Sequence, residues 1–246
     1  MCWSSTADLV MGSAIAAIGV ASVAGAASHG RVRELPLAAL PLLLGAHQLI
    51  ESVVWAKWDH LPGAAPTGTA SMTSATTSAA SMSPQLVGGW AVVAWAVIAF
   101  PLLPTFVPGV VLLAAGPGHR ARLVPFAVVG LATSAVFAYA LASGPITAEA
   151  VGHTMHYGVH DLRLAWLVSI AYLVAALGAL LASDRTDVRL LGVVGGVGAP
   201  ACYLLWHYAF ASTWCALAAA ASLVLLRWSW SRERGGIRAQ RHKVTA

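Results

Sequence analysis

Charge is scarce in this sequence: Lys, Arg, Asp and Glu make up 9% of its 246 residues. Soluble domains carry about 25%. So few charged groups cannot shield a chain that is 59% hydrophobic from water, so lipid must cover it. That excludes an ordinary water-soluble domain and predicts an integral membrane protein. Cysteine is scarce too, with three residues, so at most one intramolecular bridge can form. A basic stretch ahead of the first apolar run is missing as well. No cleavable signal pattern is therefore expected, and residues 1–6 should be retained apart from Met1. No internal repeat stands out.

What the chain does have is apolar runs. A membrane-crossing helix needs about 20 mostly apolar residues, and seven stretches qualify: 7–28, 36–57, 86–115, 123–143, 163–183, 188–207 and 209–229. The expected fold is an all-α, polytopic seven-helix transmembrane bundle, with one membrane domain over 1–229 and a basic tail over 230–246. The third run contains Pro101, Pro104 and Pro108, which predicts a kink or break. Residues 63–85 are uncharged and rich in Ser, Thr and Ala. They have too little apolar surface to fold and read as a flexible outer loop.

The basic residues orient these spans. With the N-terminus outside, the segments 29–35, 116–122, 184–189 and the tail from Arg227 fall on the cytoplasmic side. They contain Arg31, Arg33, Arg120, Arg122, Arg185, Arg189, Arg227, Arg232, Arg234, Arg238, Arg241 and Lys243. Of the 14 basic residues, Lys57 and Arg163 alone fall elsewhere. Lys and Arg accumulate in cytoplasmic loops, so the net charge of +5 reads as a topology signal with contact to anionic lipid. No nucleic-acid partner is expected. The expected location is the bacterial plasma membrane.

This orientation gathers the polar residues at the outer face. His47 and Glu51, four apart in the second span, share a helix face that continues to Trp55. Glu51 lies well inside a span, where an ionisable group is a functional candidate because burying it unpaired is costly. A structural alternative is a polar pair bonding neighbouring helices. The stretch "VGHTMHYGVHD" (151–161) holds His153, His156 and His160. If 148–162 is helical, with Thr147 as N-cap, offsets of three and seven line the imidazoles along one side. His153 and His156 are then expected to fold inward towards His207, His47 and Glu51, with His160 more exposed. The alternative is that all three are interface residues. Cys2 and Cys215 also lie outside, where disulfides persist, and a bridge between them is one expectation. Cys202 sits deeper, as a small hydrophobe. Most of the ten tryptophans fall at the two interfaces, as an aromatic belt does. Trp95 lies deep enough to line a cavity, and the Gly192–Gly198 run suggests close helix packing.

Several segments resemble a bacterial family of uncharacterised multi-pass membrane proteins that open Met-Cys-Phe-Ser-Ala. "MCWSSTADL" is similar to that opening, with Trp3 for Phe and Ser5 for Ala. "RELPLAALPLLLGAHQLIESVVW" looks like the family's second helix, which carries a glutamine followed by a glutamate, here Gln48 and Glu51. "VGHTMHY" is similar to its Gly-His-His segment, with Thr154 in place of the second His, and "FASTWCALAAAAS" to its last helix. The likeness spans most of the chain except the Ser/Thr-rich loop. It implies the membrane fold and no particular activity.

Two enzymatic readings follow from the residues, and one that is not. A metal-dependent hydrolase would bind zinc through His153, His156 and His207. His47 and Glu51 would be catalytic, with Glu51 as general base, acting on a lipid-like substrate. A polyprenyl cyclase would use Glu51 as proton donor in a cavity walled by Trp55, Trp95 and Tyr172. The third reading is a haem-binding, sensing or structural protein.

Overall fold

A computed structural model describes residues 4–61, 86–151, 154–159, 165–205 and 210–230, without the side chains of 151, 154, 199, 202–205 and 210–219. The described chain is mostly helical. Its helices are α1 (Ser5–Ser28), α2 (Leu35–Ala38), α3 (Leu40–Asp59), α4 (Trp90–Val97), α5 (Leu103–Ala114), α6 (Arg120–Ser143), α7 (Ala165–Leu181), α8 (Thr186–Leu205) and α9 (Phe210–Trp230). Among the described residues, four continuous stretches are long and apolar enough to cross a membrane: Ser5–Ser28, Val32–Asp59, Trp90–Ala114 and Pro117–Ser143; α7 is a shorter apolar helix. Large apolar side chains point outward along them, including Val20, Leu131 and Val128, each about 60% exposed. Lipid would cover such faces.

The tightest packing is between α1 and α3. Ser4 caps α1 by accepting from the Ala7 amide at 3.2 Å. The buried face then runs Asp8, Gly12, Ile15, Gly19, Ser22, Gly25 and Ala26, a stripe with spacings of three and four. Small residues on it let two backbones approach. A Cβ at Gly12 would lie 2.9 Å from the Leu49 nitrogen, and one at Gly45 would lie 2.5 Å from the Ala16 nitrogen. The helices are therefore antiparallel, with residue 12 level with 49 and residue 16 level with 45. Extending that register one turn sets Asp8 level with Ser52 and Val53. Because the close neighbour at Gly45 is backbone, Gly45→Val should destabilise the protein by about 1–3 kcal/mol, read as earlier unfolding on titration with denaturing detergent.

The third rod breaks where the prolines predict. Between α4 and α5 runs one π-helical segment, Ile98–Leu102, with Pro101 inside it. Proline has no N–H for the helical ladder and its ring crowds the preceding turn; a wider turn accommodates both. Neighbouring α6 is joined to this segment by a short polar network. The Ser134 hydroxyl donates to the Pro101 carbonyl and pairs with the Thr105 hydroxyl, which also reaches the Gly130 carbonyl at 3.3 Å.

At the opposite end from the Ser4 cap, a charged clamp ties three turns together. Glu34 is 8% exposed, and its carboxylate pairs with Arg31 at 3.3 Å and with Arg185. The Arg31 guanidinium donates to the carbonyls of Trp228 and Ser229, the last groups of α9, which have no helical partner. Both guanidinium groups stand over the Trp228 ring, at 5.2 and 5.7 Å from its centroid.

One expectation is overturned. The described residues of 148–162 are strand rather than helix. The stretch contains an antiparallel hairpin, β2 (Thr147–Val151) and β3 (Thr154–Gly158), and β1 (Leu86–Val87) pairs with β2 to complete a three-stranded sheet in the order β1-β2-β3. An all-α description therefore omits a small sheet. Thr147, Val151, Thr154 and Tyr157 are β-branched or aromatic, types that fit a pleated strand, and Gly158 disfavours a helix. Alternate residues face the protein: Ala148 pairs with Tyr157 and Ala150 with Met155. All four pack into a cluster with Val54, Trp55, Trp58, Ala91, Val92 and Ala96. The hairpin thus covers one end of α3 and α4.

Candidate functional site

The polar residues of α3 lie beneath that hairpin. At 100° per residue, His47, Gln48, Glu51 and Trp55 fall within a stripe about 100° wide, centred near Glu51. Glu51 is 3% exposed and Gln48 is 7% exposed, while Trp55 is wholly buried. The indole N–H of Trp95, on α4, donates to Glu51 Oε2 at 3.2 Å. The Trp95 ring lies between two others. Tyr157 of the hairpin stacks on it at 3.5 Å with a 6° interplanar angle, and His47 packs tilted at 4.7 Å. The carboxyl group is therefore held by an indole inside a wall of aromatic faces.

The same stripe concentrates unmet hydrogen-bonding capacity. Among the described residues, His47 Nε2, Gln48 Oε1 and Trp55 Nε1 are buried with no hydrogen-bond partner. Each such group costs free energy, and native structures keep few of them. Three within nine residues of one helix, all flanking a buried carboxyl group, mark a place suited to a polar ligand group. By contrast, Ser52 on the same helix is satisfied by the Leu49 carbonyl at 2.7 Å.

A second carboxyl group lies at this level. Asp8 is fully buried, and the α1–α3 register sets it beside Ser52. Sequence reasoning does not single out Asp8, because it stands in the first turn of α1 and resembles an ordinary helix-start acid. Tyr157 also escapes, since the helical reading of 148–162 directs attention to the histidines. Read with a period of two, the same residues place Met155 and Tyr157 on one face and His156 on the other.

His156 is exposed and sits opposite Glu149 on the outward face of the ladder, rather than turned towards His47 and Glu51. His153, His160, His207 and Cys2 lie outside the described residues, and Cys202 and Cys215 lie in α8 and α9 without described side chains. The expected zinc ligand set and the Cys2–Cys215 bridge therefore rest on residues beyond this description. Among the described residues, no three of His, Cys, Asp and Glu are grouped to hold a metal ion. Of the aromatic wall expected around Glu51, Trp95 touches the carboxyl group directly and Trp55 shares its helix face. Tyr172 stands farther off, at the end of a row in which Trp95 meets Phe100 at 6.0 Å, Phe100 meets Phe137 at 5.2 Å and Phe137 meets Tyr172 at 6.4 Å.

The chain belongs to a family of unknown function (DUF6629), whose model matches residues 1–87 and 76–241. No curated protein and no solved structure matches it.

Proposed function

We propose that this family member is a seven-span protein of the bacterial plasma membrane whose outer end carries an acid-tipped aromatic site for a lipid-like, isoprenoid substrate. Glu51 is the proton donor, and the reaction is a cyclisation of the polyprenyl type. The observation that carries this reading is the buried Glu51 carboxyl group, held by the Trp95 indole and flanked by three buried polar atoms without partners among the described residues. Protonating an alkene carbon forms a C–H bond and leaves a carbocation. A second alkene of the same chain attacks it, forming a C–C bond. Loss of a proton from a neighbouring carbon, to His47 Nε2, restores a double bond, so the reaction is a net isomerisation. His47 then releases that proton to solvent and Glu51 takes up another from solvent, which completes the cycle. Aromatic faces favour cations, and the row of rings that continues from Trp95 through Phe100 and Phe137 is the support this chemistry needs.

The outward direction of His156 favours this reading over zinc hydrolysis, which calls on His156 as a ligand. The test is conversion of a linear isoprenoid alcohol by the purified protein in the presence of EDTA. Turnover insensitive to the chelator supports the acid site, and turnover that the chelator abolishes supports a metal. The seven-span orientation rests on the basic bias of the loops. A reporter fused after Ala246 should be active in the cytoplasm alone, and a tag before Met1 should be accessible from outside. An active C-terminal reporter outside the cytoplasm would overturn that topology.

A further inference from the structure

An apolar cavity of about 160 Å3 lies between α3, α5, α7, α8 and α9. Apolar cavities of roughly 150 Å3 stay dry and take a six-carbon ring, so this one suits one branched or cyclic hydrocarbon unit. Its lining includes Leu40 and Leu44 of α3. These two residues continue the stripe of His47 and Glu51, since 40, 44, 47 and 51 are spaced four, three and four and share one helix face. Seven residues separate Leu44 from Glu51, about 10 Å along the helix. Tyr172 also lines the cavity, and it ends the aromatic row that begins at Trp95 beside Glu51. Two independent features, a helix face and a row of rings, thus run from the carboxyl group to the same cavity. The lining also includes Leu173 of α7, which is 44% exposed, so the cavity reaches the surface of the molecule there and a chain has a way in.

We infer that the cavity is the tail subsite for the substrate: a single-chain isoprenoid binds along α3 with its reacting end at Glu51 and its far end in the cavity. This rests on the functional reading above and adds to it a chain-length requirement. A chain too short to bridge the two turns between Glu51 and Leu44 gains nothing from the cavity, whereas one that reaches it gains a buried hydrocarbon unit.

The test is thermal unfolding of the detergent-purified full chain with geraniol, farnesol and geranylgeraniol at a fixed detergent concentration. The expected result is a saturable rise in Tm whose half-saturating concentration falls at least about tenfold from geraniol to the longer alcohols, the effect of burying one to two further CH2 groups or more. Ala176→Phe and Ala221→Phe fill the cavity from different helices, and size-exclusion chromatography establishes that each is folded. A folded filling variant should lose the step between short and long chains and keep the geraniol response. Glu51→Gln should keep the step, because it leaves the cavity intact. Equal responses to all three alcohols in the wild type, or a step that survives in a folded filling variant, would overturn the inference. A chain-length step in a protein that shows no Glu51-dependent conversion would instead retain the tail subsite and reject the acid chemistry.

Discussion

Glu51→Gln should abolish most conversion of an isoprenoid substrate while leaving the protein folded and inserted. The amide keeps the size of the carboxyl group, and its oxygen can still accept the Trp95 N–H that Glu51 accepts at 3.2 Å. What it removes is the transferable proton. General acid catalysis by a positioned side chain contributes about 10²–10⁴-fold, and the expected loss in kcat is of that order, with little change in KM. A matching variant at the stacked wall separates chemistry from packing. Tyr157→Phe keeps the ring that lies 3.5 Å from Trp95 and should keep most of the activity. Kinetics of both variants, beside size-exclusion profiles, check the prediction. Equal kcat for wild type and Glu51→Gln would remove Glu51 from the mechanism.

The second large effect lies at the other end of the molecule and concerns stability. Glu34 is enclosed by two arginines, so Glu34→Ala leaves both guanidinium groups without their carboxylate in a half-buried place. Removing one partner of a buried ion pair costs about 3–5 kcal/mol, whereas replacing the whole set with apolar residues is often close to neutral. Glu34→Ala should therefore lower the midpoint of unfolding strongly. A triple Arg31→Met, Glu34→Leu, Arg185→Met variant should recover part of that loss. The recovery stays incomplete because Arg31 also caps the Trp228 and Ser229 carbonyls at the end of α9. Equilibrium unfolding in mixed micelles followed by circular dichroism measures both variants.

The fold was legible in the sequence wherever one element alone decides its own structure. A span must satisfy its backbone internally, so long apolar runs such as 7–28 predict α1, and Pro101 predicts the break between α4 and α5. The hairpin was not legible in this way. "TMHYG" has two residue types that suit a strand, Thr and Tyr, yet the histidines of 151–161 also fit a helical period, and the choice between the two depends on β1 arriving from the far end of the Ser/Thr-rich loop to pair with β2. Tertiary pairing overrides local pattern there. The site was half legible for the same reason. His47 and Glu51 stand out because polar groups inside a span are rare. The groups around them come from other elements: Trp95 of α4 bonds Glu51, Tyr157 of the hairpin stacks on Trp95, and Asp8 lies near their level by the glycine contacts between α1 and α3. No spacing within a single segment encodes those meetings.

The claim that Glu51 transfers a proton to carbon has a direct readout in D2O. Purified protein incubated there with geranylgeraniol should release a cyclised isomer carrying one deuterium on carbon, by mass spectrometry, and Glu51→Gln should release almost none. A product without deuterium, or the same labelled product at the same rate from Glu51→Gln, would contradict the account.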